Sequence, residues 1–238
     1  MITAVLFDKD GTLFDYHASW SGWARRLFLE LSEGDLDKAR TMGAATGYDM
    51  DQKRFAEDSV LIAATPGEIA HALLPFVPGA TPASLINRMN LLSAQAGQVE
   101  AAPLNELLTE LRSRNLILGV VTNDALQPTL AHLEASEVLP LFHEVIGCDS
   151  GFGAKPQPGQ INEIVDRHQL TPSRVVMVGD SPHDLIAARA AGCLAVGVLT
   201  GMAPRRQLAP LADVVLRSIA DLPAWLDQVS SGQAIDAA

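Results

Sequence analysis

A largely apolar run, Ile2-Thr3-Ala4-Val5-Leu6-Phe7, leads without a break into Asp8-Lys9-Asp10-Gly11-Thr12. The run has the length and β-branched content of a buried strand. The stretch after it is a polar loop with a glycine inside. Two carboxylates one residue apart, where a buried strand ends, do nothing for stability. Like charges repel, and buried carboxylates are costly unless a cation compensates them. A divalent metal supplies that compensation, and hard oxygen ligands suit magnesium.

Beyond residue 101 short apolar runs alternate with helical stretches. Strands are expected at 116–121, 144–148, 175–178, 194–199 and 214–216. Helices are expected between and after them, at 103–114, 125–135, 158–168, 182–191 and 219–229. Strands separated by helices imply crossovers and a parallel sheet covered on both faces, in agreement with runs that do not alternate in polarity. The expected fold is therefore α/β, a Rossmann-like parallel sheet. Residues 15–97 read differently, with helices at 17–31, 36–45, 66–76 and 82–96 and no clear strand. Asp35 is placed to cap the second of these, and Thr65-Pro66-Gly67-Glu68 has the form of a capping box with proline at the first helical position. The expected organisation is a core of residues 1–14 and 98–238 with an all-helical insert at 15–97. The tail, 230–238, is expected to fray.

The whole chain narrows the function classes. With 238 residues and 48% hydrophobic content it has material for a sizeable core. A formal net charge of -11 argues against nucleic acid or an anionic membrane surface as partner. No apolar run approaches membrane-spanning length. Cys148 and Cys193 lie in or beside apolar runs and read as reduced core residues. These features point to a cytoplasmic protein, monomer or homodimer, acting on a small metabolite.

In open parallel sheets, ligands bind beyond the carboxyl ends of the strands. Asp8 and Asp10 follow the first expected strand, and Thr122 and Asn123 the second. Lys155 lies after the third. Asp180 ends the fourth, with Asp184 in the first turn of the next helix. Carboxylates, one ammonium, a hydroxyl and an amide together suit a magnesium ion and a phosphoryl group.

The same residues carry a resemblance. Asp8-x-Asp10-x-Thr12, Thr122, Lys155 in Ala154-Lys155-Pro156, and Gly179-Asp180-x-x-x-Asp184 resemble, in order and spacing, the four motifs of the haloacid dehalogenase-like superfamily. The insert resembles that superfamily's C1-type cap, and core and cap together look phosphoglycolate phosphatase-like. The resemblance implies that Asp8 is the nucleophile, forming an aspartyl-phosphate, and that Asp10 is general acid and then base. It implies that Thr122, Asn123 and Lys155 hold the phosphoryl group. Magnesium is implied at Asp8, the Asp10 carbonyl and Asp180, with Asp184 ligating or orienting a metal-bound water. The implied reaction is magnesium-dependent hydrolysis of a small phosphomonoester, with 2-phosphoglycolate named first. A sugar phosphomutase resembling the β-phosphoglucomutase branch is the alternative, since mutases also keep both aspartates. A non-catalytic phospho-ligand or partner-binding relative is a third reading, disfavoured because every motif residue is present.

Plainer readings stand beside these. Asp184 also suits a helix N-terminus, Asp124 a cap for the following helix, and Asn123 a turn. Trp20, Trp23 and Phe28 read as core of the insert. Arg25, Arg26, Lys53, Arg54 and Arg88 are the insert's candidates for a substrate carboxylate, with a solvated face as the plainer reading for each.

Overall fold

The structure, a computed structural model, describes residues 1–231. The expected frayed tail lies, from residue 232 on, outside the described residues. Six strands form one parallel sheet: β1 (Ala4–Phe7), β4 (Ile117–Val121), β5 (Glu144–Ile146), β6 (Val175–Gly179), β7 (Leu194–Val198) and β8 (Val214–Leu216), in the order β5-β4-β1-β6-β7-β8. The chain starts at the centre, steps outward through β4 and β5, returns past β1 to β6, and steps outward again. That reversal puts the carboxyl end of β1 at the switch point of the sheet, where such folds leave a crevice.

Burial on both faces explains the unbroken apolar strands. Val5 and Phe7 of β1 join a cluster with α6 (Leu104–Ser113) and α11 (Leu222–Ser230). Ala4 and Leu6 join a second cluster with α8 (Gly159–Arg167) and α9 (Pro182–Ala190). Cys148 and Cys193 are unpaired, and burial pushes their thiols up to about 12 and about 11.

A third apolar cluster belongs to the insert, built from α1 (Tyr16–Leu31), α2 (Leu36–Thr46), α4 (Pro66–Leu73) and α5 (Pro82–Ser93). Asp35 caps α2, and Thr65 with Glu68 forms the capping box of α4. The insert is not wholly helical, which corrects the sequence expectation. β2 (Tyr48–Asp49) and β3 (Arg54–Phe55) form an antiparallel hairpin. Its turn is held by Asp49 Oδ1, which accepts from the N–H groups of Asp51 and Gln52. The apolar cross-strand pair is Tyr48 and Phe55, with ring centroids 4.9 Å apart. Two residues per strand are too few for an alternating pattern, so the polar run between them hid the hairpin. The short helix α3 (Val60–Ala63), capped by Ser59, was likewise too short for periodicity to reveal.

The two crossings between sheet and insert run side by side. Asp15 N–H donates to Val99 O and Ala101 N–H to Leu13 O, at 2.8 and 2.9 Å. Asp15 caps α1 by accepting from the Ala18 N–H.

Candidate active site

Asp8 emerges from β1 with its N–H bonded to Val178 O of the neighbouring strand. The loop after β5 brings Lys155 to it. The Lys155 ammonium donates to Asp8 Oδ1 at 2.5 Å, to Asp184 Oδ1 at 2.6 Å and to Val121 O at 2.9 Å. All three of its hydrogens are used, so it is fixed in place rather than free to roam. Desolvation works against the charge on this buried lysine, but Asp184 and Asp8 outweigh it and raise its pKa. Burial pushes the Asp8 carboxyl up to about 7, with Asp184 and Asp10 adding to the rise and Lys155 opposing it. Asp180 is pushed well above the carboxylate range by burial and by Asp8 and Asp184.

Asp8, Asp180 and Asp184 are all buried, and one carboxylate oxygen from each lies within 4.8 Å of the others. One ammonium cannot neutralise three carboxylates. A hard, oxygen-only donor set with surplus negative charge fits a divalent cation of the magnesium class. Small residues allow the crowding. A Cβ on Gly179 would overlap the Asp184 carboxylate, and one on Gly11, whose φ is +86°, would stand 2.5 Å from that of Asp180. Asp184 fills the helix N-terminal reading and has a further contact that the sequence did not indicate. Its Oδ2 accepts from Ser181 N–H and Oγ–H at the start of α9, while its Oδ1 faces Lys155.

The Asp10 side chain lies in a different set of contacts. Oδ1 accepts from the Trp20 indole N–H at 2.8 Å, and Oδ2 lies 3.2 Å from Lys9 Nζ. Lys9 is fully buried and also donates to Asp124 Oδ2 at 2.7 Å and to His132 Nδ1 at 3.0 Å. An ammonium only donates and a carbonyl only accepts. His132 Nδ1 therefore accepts from Lys9, and Nε2–H donates to Ser93 O of α5 at 2.7 Å. Burial and the Lys9 charge accordingly push His132 down to about 4. Burial raises Asp10, against the opposing charge of Lys9.

Sequence reading missed this network. Lys9 was passed over as the variable residue between two aspartates, although a lysine flanked by carboxylates at the end of a buried strand was a usable signal. The Asp124 carboxylate, read as a helix cap, accepts from the adjacent Ala125 N–H and from Lys9 among the described residues. The N–H of Leu126, which opens α7 (Leu126–Ala135), is taken by Asp149 Oδ1 instead. Trp20 belongs to the insert's core, as read, but also reaches Asp10.

Thr122 is buried at the end of β4, and its Oγ1 accepts from Asp124 N–H at 3.0 Å, which leaves the hydroxyl hydrogen available to a ligand. Asn123 is already committed. Its amide donates to Ala63 O and Lys155 O, and its Oδ1 accepts from Lys155 N–H. It ties the insert to the lysine loop, which no single-residue reading could show.

These groups line a cavity of about 70 Å³ between sheet and insert, shared with Trp23, Ile62, Met89, Asn90 and Ser93. Asp8, Asp10, Thr122, Asn123, Lys155, Asp180 and Asp184 all face it. The five basic candidates of the insert do not. Arg25, Arg26, Lys53, Arg54 and Arg88 are exposed, with Arg26 on Gln95 and Arg88 on Glu30.

The doubly wound sheet gathers its acidic groups at the switch point, where such folds bind ligands. Residues 5–198 match the family model for haloacid dehalogenase-like hydrolases. The chain belongs to that family. It is 29% identical to the phosphoglycolate phosphatase of Escherichia coli O157:H7 over 93% of this chain and 91% of that one. It is 37% identical to the phosphoglycolate phosphatase of Vibrio cholerae, but that match spans only 40% of this chain and 42% of the relative. CbbY from Rhodobacter sphaeroides, solved in complex with phosphate, superposes with a TM-score of 0.72 at 24% identity, over 95% of this chain and all (100%) of that one. A phosphoglycolate phosphatase predicted in Haemophilus somnus 129pt superposes with the same score, 0.72, at 20% identity, over 94% of this chain and 98% of that one. At such identities the two superpositions establish the fold. No described helix is long and apolar enough to cross a membrane.

Proposed function

We propose that the protein is a magnesium-dependent phosphatase of small phosphomonoesters, working through a phosphoryl-aspartate on Asp8, with residues 15–97 as a cap over residues 1–14 and 98–238. The observation that carries this is the buried Asp8 carboxylate, held by Lys155 beside Asp180 and Asp184, with Asp10 two residues on in a separate set of contacts. Two reduced cysteines and the small cavity fit a cytoplasmic enzyme of metabolites. The names of the relatives make 2-phosphoglycolate the first substrate to test.

Asp8, the Asp10 carbonyl and Asp180 would hold magnesium. Asp184, its oxygens already bound by Ser181 and Lys155, would orient what surrounds the metal. Bound magnesium supplies the charge compensation that lets a carboxylate approach a phosphate. Lys155 orients Asp8 and faces the phosphoryl charge, and the Thr122 hydroxyl donates to a phosphoryl oxygen. Asn123, expected from sequence to do the same, instead fixes the Lys155 loop. An Asp8 oxygen attacks phosphorus and the bond to the leaving oxygen breaks, with the Asp10 proton going to that oxygen. Water then attacks phosphorus and gives a proton to Asp10. The bond to Asp8 breaks, phosphate leaves, and both residues are restored. The cap excludes bulk water during the first step.

The test is phosphate release from a panel of small phosphomonoesters with magnesium and with chelator. Magnesium-dependent turnover is expected. Folded protein silent on every compound would refute the phosphatase, and isomerisation that needs a bisphosphate primer would mark a mutase.

Trp20→Phe gives a sharper check on Asp10. The phenyl ring keeps part of the packing and loses the N–H that orients the carboxyl. An alkyl leaving group needs the proton, whereas p-nitrophenolate leaves without it. The kcat/KM for an alkyl phosphate should fall roughly tenfold, with that for p-nitrophenyl phosphate nearly unchanged. Equal losses on both would show that Trp20 only packs.

A further inference from the structure

The leaving-group half of the cavity has its own chemistry. On α1, Trp20 and Trp23 stand one helical turn apart, and on α5 so do Asn90 and Ser93, all four lining the cavity. Trp23 is 8% exposed and Ser93 3%, and neither the Trp23 Nε1 hydrogen nor the Ser93 hydroxyl has a partner among the described residues. On the core rim His183 Nδ1 is unpartnered as well. Polar atoms buried without partners are unusual, and several along one cavity mark a place where a ligand completes the bonding. Leu61, Ile62, Ile69 and Met89 supply apolar surface between them.

Charge decides what kind of ligand. Among the described residues that line the cavity, Lys155 is the only lysine or arginine, and all three of its hydrogens are taken. Asp10 and Asp124 line the same space. A carboxylate carried by the substrate would be desolvated beside two acids that already take the Lys9 ammonium, with no guanidinium or ammonium on the cavity wall left to meet it. A hydroxyl there accepts from the indole N–H and exchanges a hydrogen bond with Ser93 at no such cost.

We infer that this half of the cavity is a subsite for a short, neutral, hydroxylated leaving group, so that the preferred substrate is the monophosphate of a small polyol. The inference rests on the phosphatase reading of Asp8 and departs from a carboxylated substrate. Trp23 and Ser93 are specificity-determining groups that bond the hydroxyl beyond the scissile oxygen.

The experiment compares kcat/KM for 2-hydroxyethyl phosphate, ethyl phosphate, 2-phosphoglycolate and p-nitrophenyl phosphate, all with magnesium. 2-Hydroxyethyl phosphate should exceed both ethyl phosphate and 2-phosphoglycolate by roughly tenfold or more, since the hydroxyl completes buried donors and adds no charge. Trp23→Phe and Ser93→Ala should each bring the 2-hydroxyethyl-to-ethyl ratio toward one. Preference for 2-phosphoglycolate overturns the inference, as does a ratio that both variants leave intact. Silence on all four compounds, p-nitrophenyl phosphate included, overturns the phosphatase reading itself and this inference with it.

Discussion

Asp8→Asn is expected to release no measurable phosphate, a loss of at least about 10⁴-fold, because the amide cannot form the covalent intermediate. The same variant should be as stable as wild type, or more so, when metal is withheld. Burial holds the Asp8 carboxyl at about 7 against a reference of 3.8, so its charged form is disfavoured in the metal-free fold. A group raised in this way contributes stability that is fully present below about 3.8 and lost as pH rises through about 7. Asparagine has no such titration. It keeps an oxygen for Lys155, which also retains Asp184 and Val121 O. Chelated wild type should therefore lose stability between about pH 4 and pH 7 relative to Asp8→Asn, and the gap should close when magnesium is added. Thermal melts of both proteins across that range check it. A variant that unfolds, or one that keeps turning over, would show that Asp8 is structural or that another group is the nucleophile.

Lys9→Met should cost about 3–5 kcal/mol of stability, the usual penalty for removing one partner of a buried ion pair. Lys9 is 0% exposed at its side chain and faces Asp124 and Asp10, which are 12% and 15% exposed. Methionine fills the volume of the stem, so the loss is electrostatic: two nearly buried carboxylates lose their cation, and His132 Nδ1 loses its donor. Urea denaturation measures it. Adding Asp124→Asn to Lys9→Met should recover part of the loss by removing one stranded charge, a coupling that a packing defect would not show. A shift below about 1 kcal/mol would mean that water or proton uptake already compensates the acids.

The two variants separate what could be read from the chain from what could not. Asp8, Thr122, Lys155 and Asp180 were legible because each follows a buried strand, and a parallel sheet sends all such residues to one edge. Asp184 was legible as two competing readings; one oxygen meets the start of α9, as one reading has it, and the other is held by Lys155, which neither reading named. The hairpin at Tyr48–Asp49 and Arg54–Phe55 was not legible, since two residues per strand make no periodicity. The five basic residues of the insert were weighed as solvated, and all five are exposed.

Sequence alone determined the sheet, its crossovers and the acidic edge, for these follow from local periodicity and from residues adjacent to strands. Tertiary structure alone decided which groups share protons and charge. Lys9 meets Asp124 and His132 across separations of 115 and 123 residues, and Asn123 meets Ala63 across 60. Such contacts leave no local pattern. The Lys9 contacts are fixed when β1 pairs with β4 in the core, and the Asn123 contact when the insert folds over the sheet.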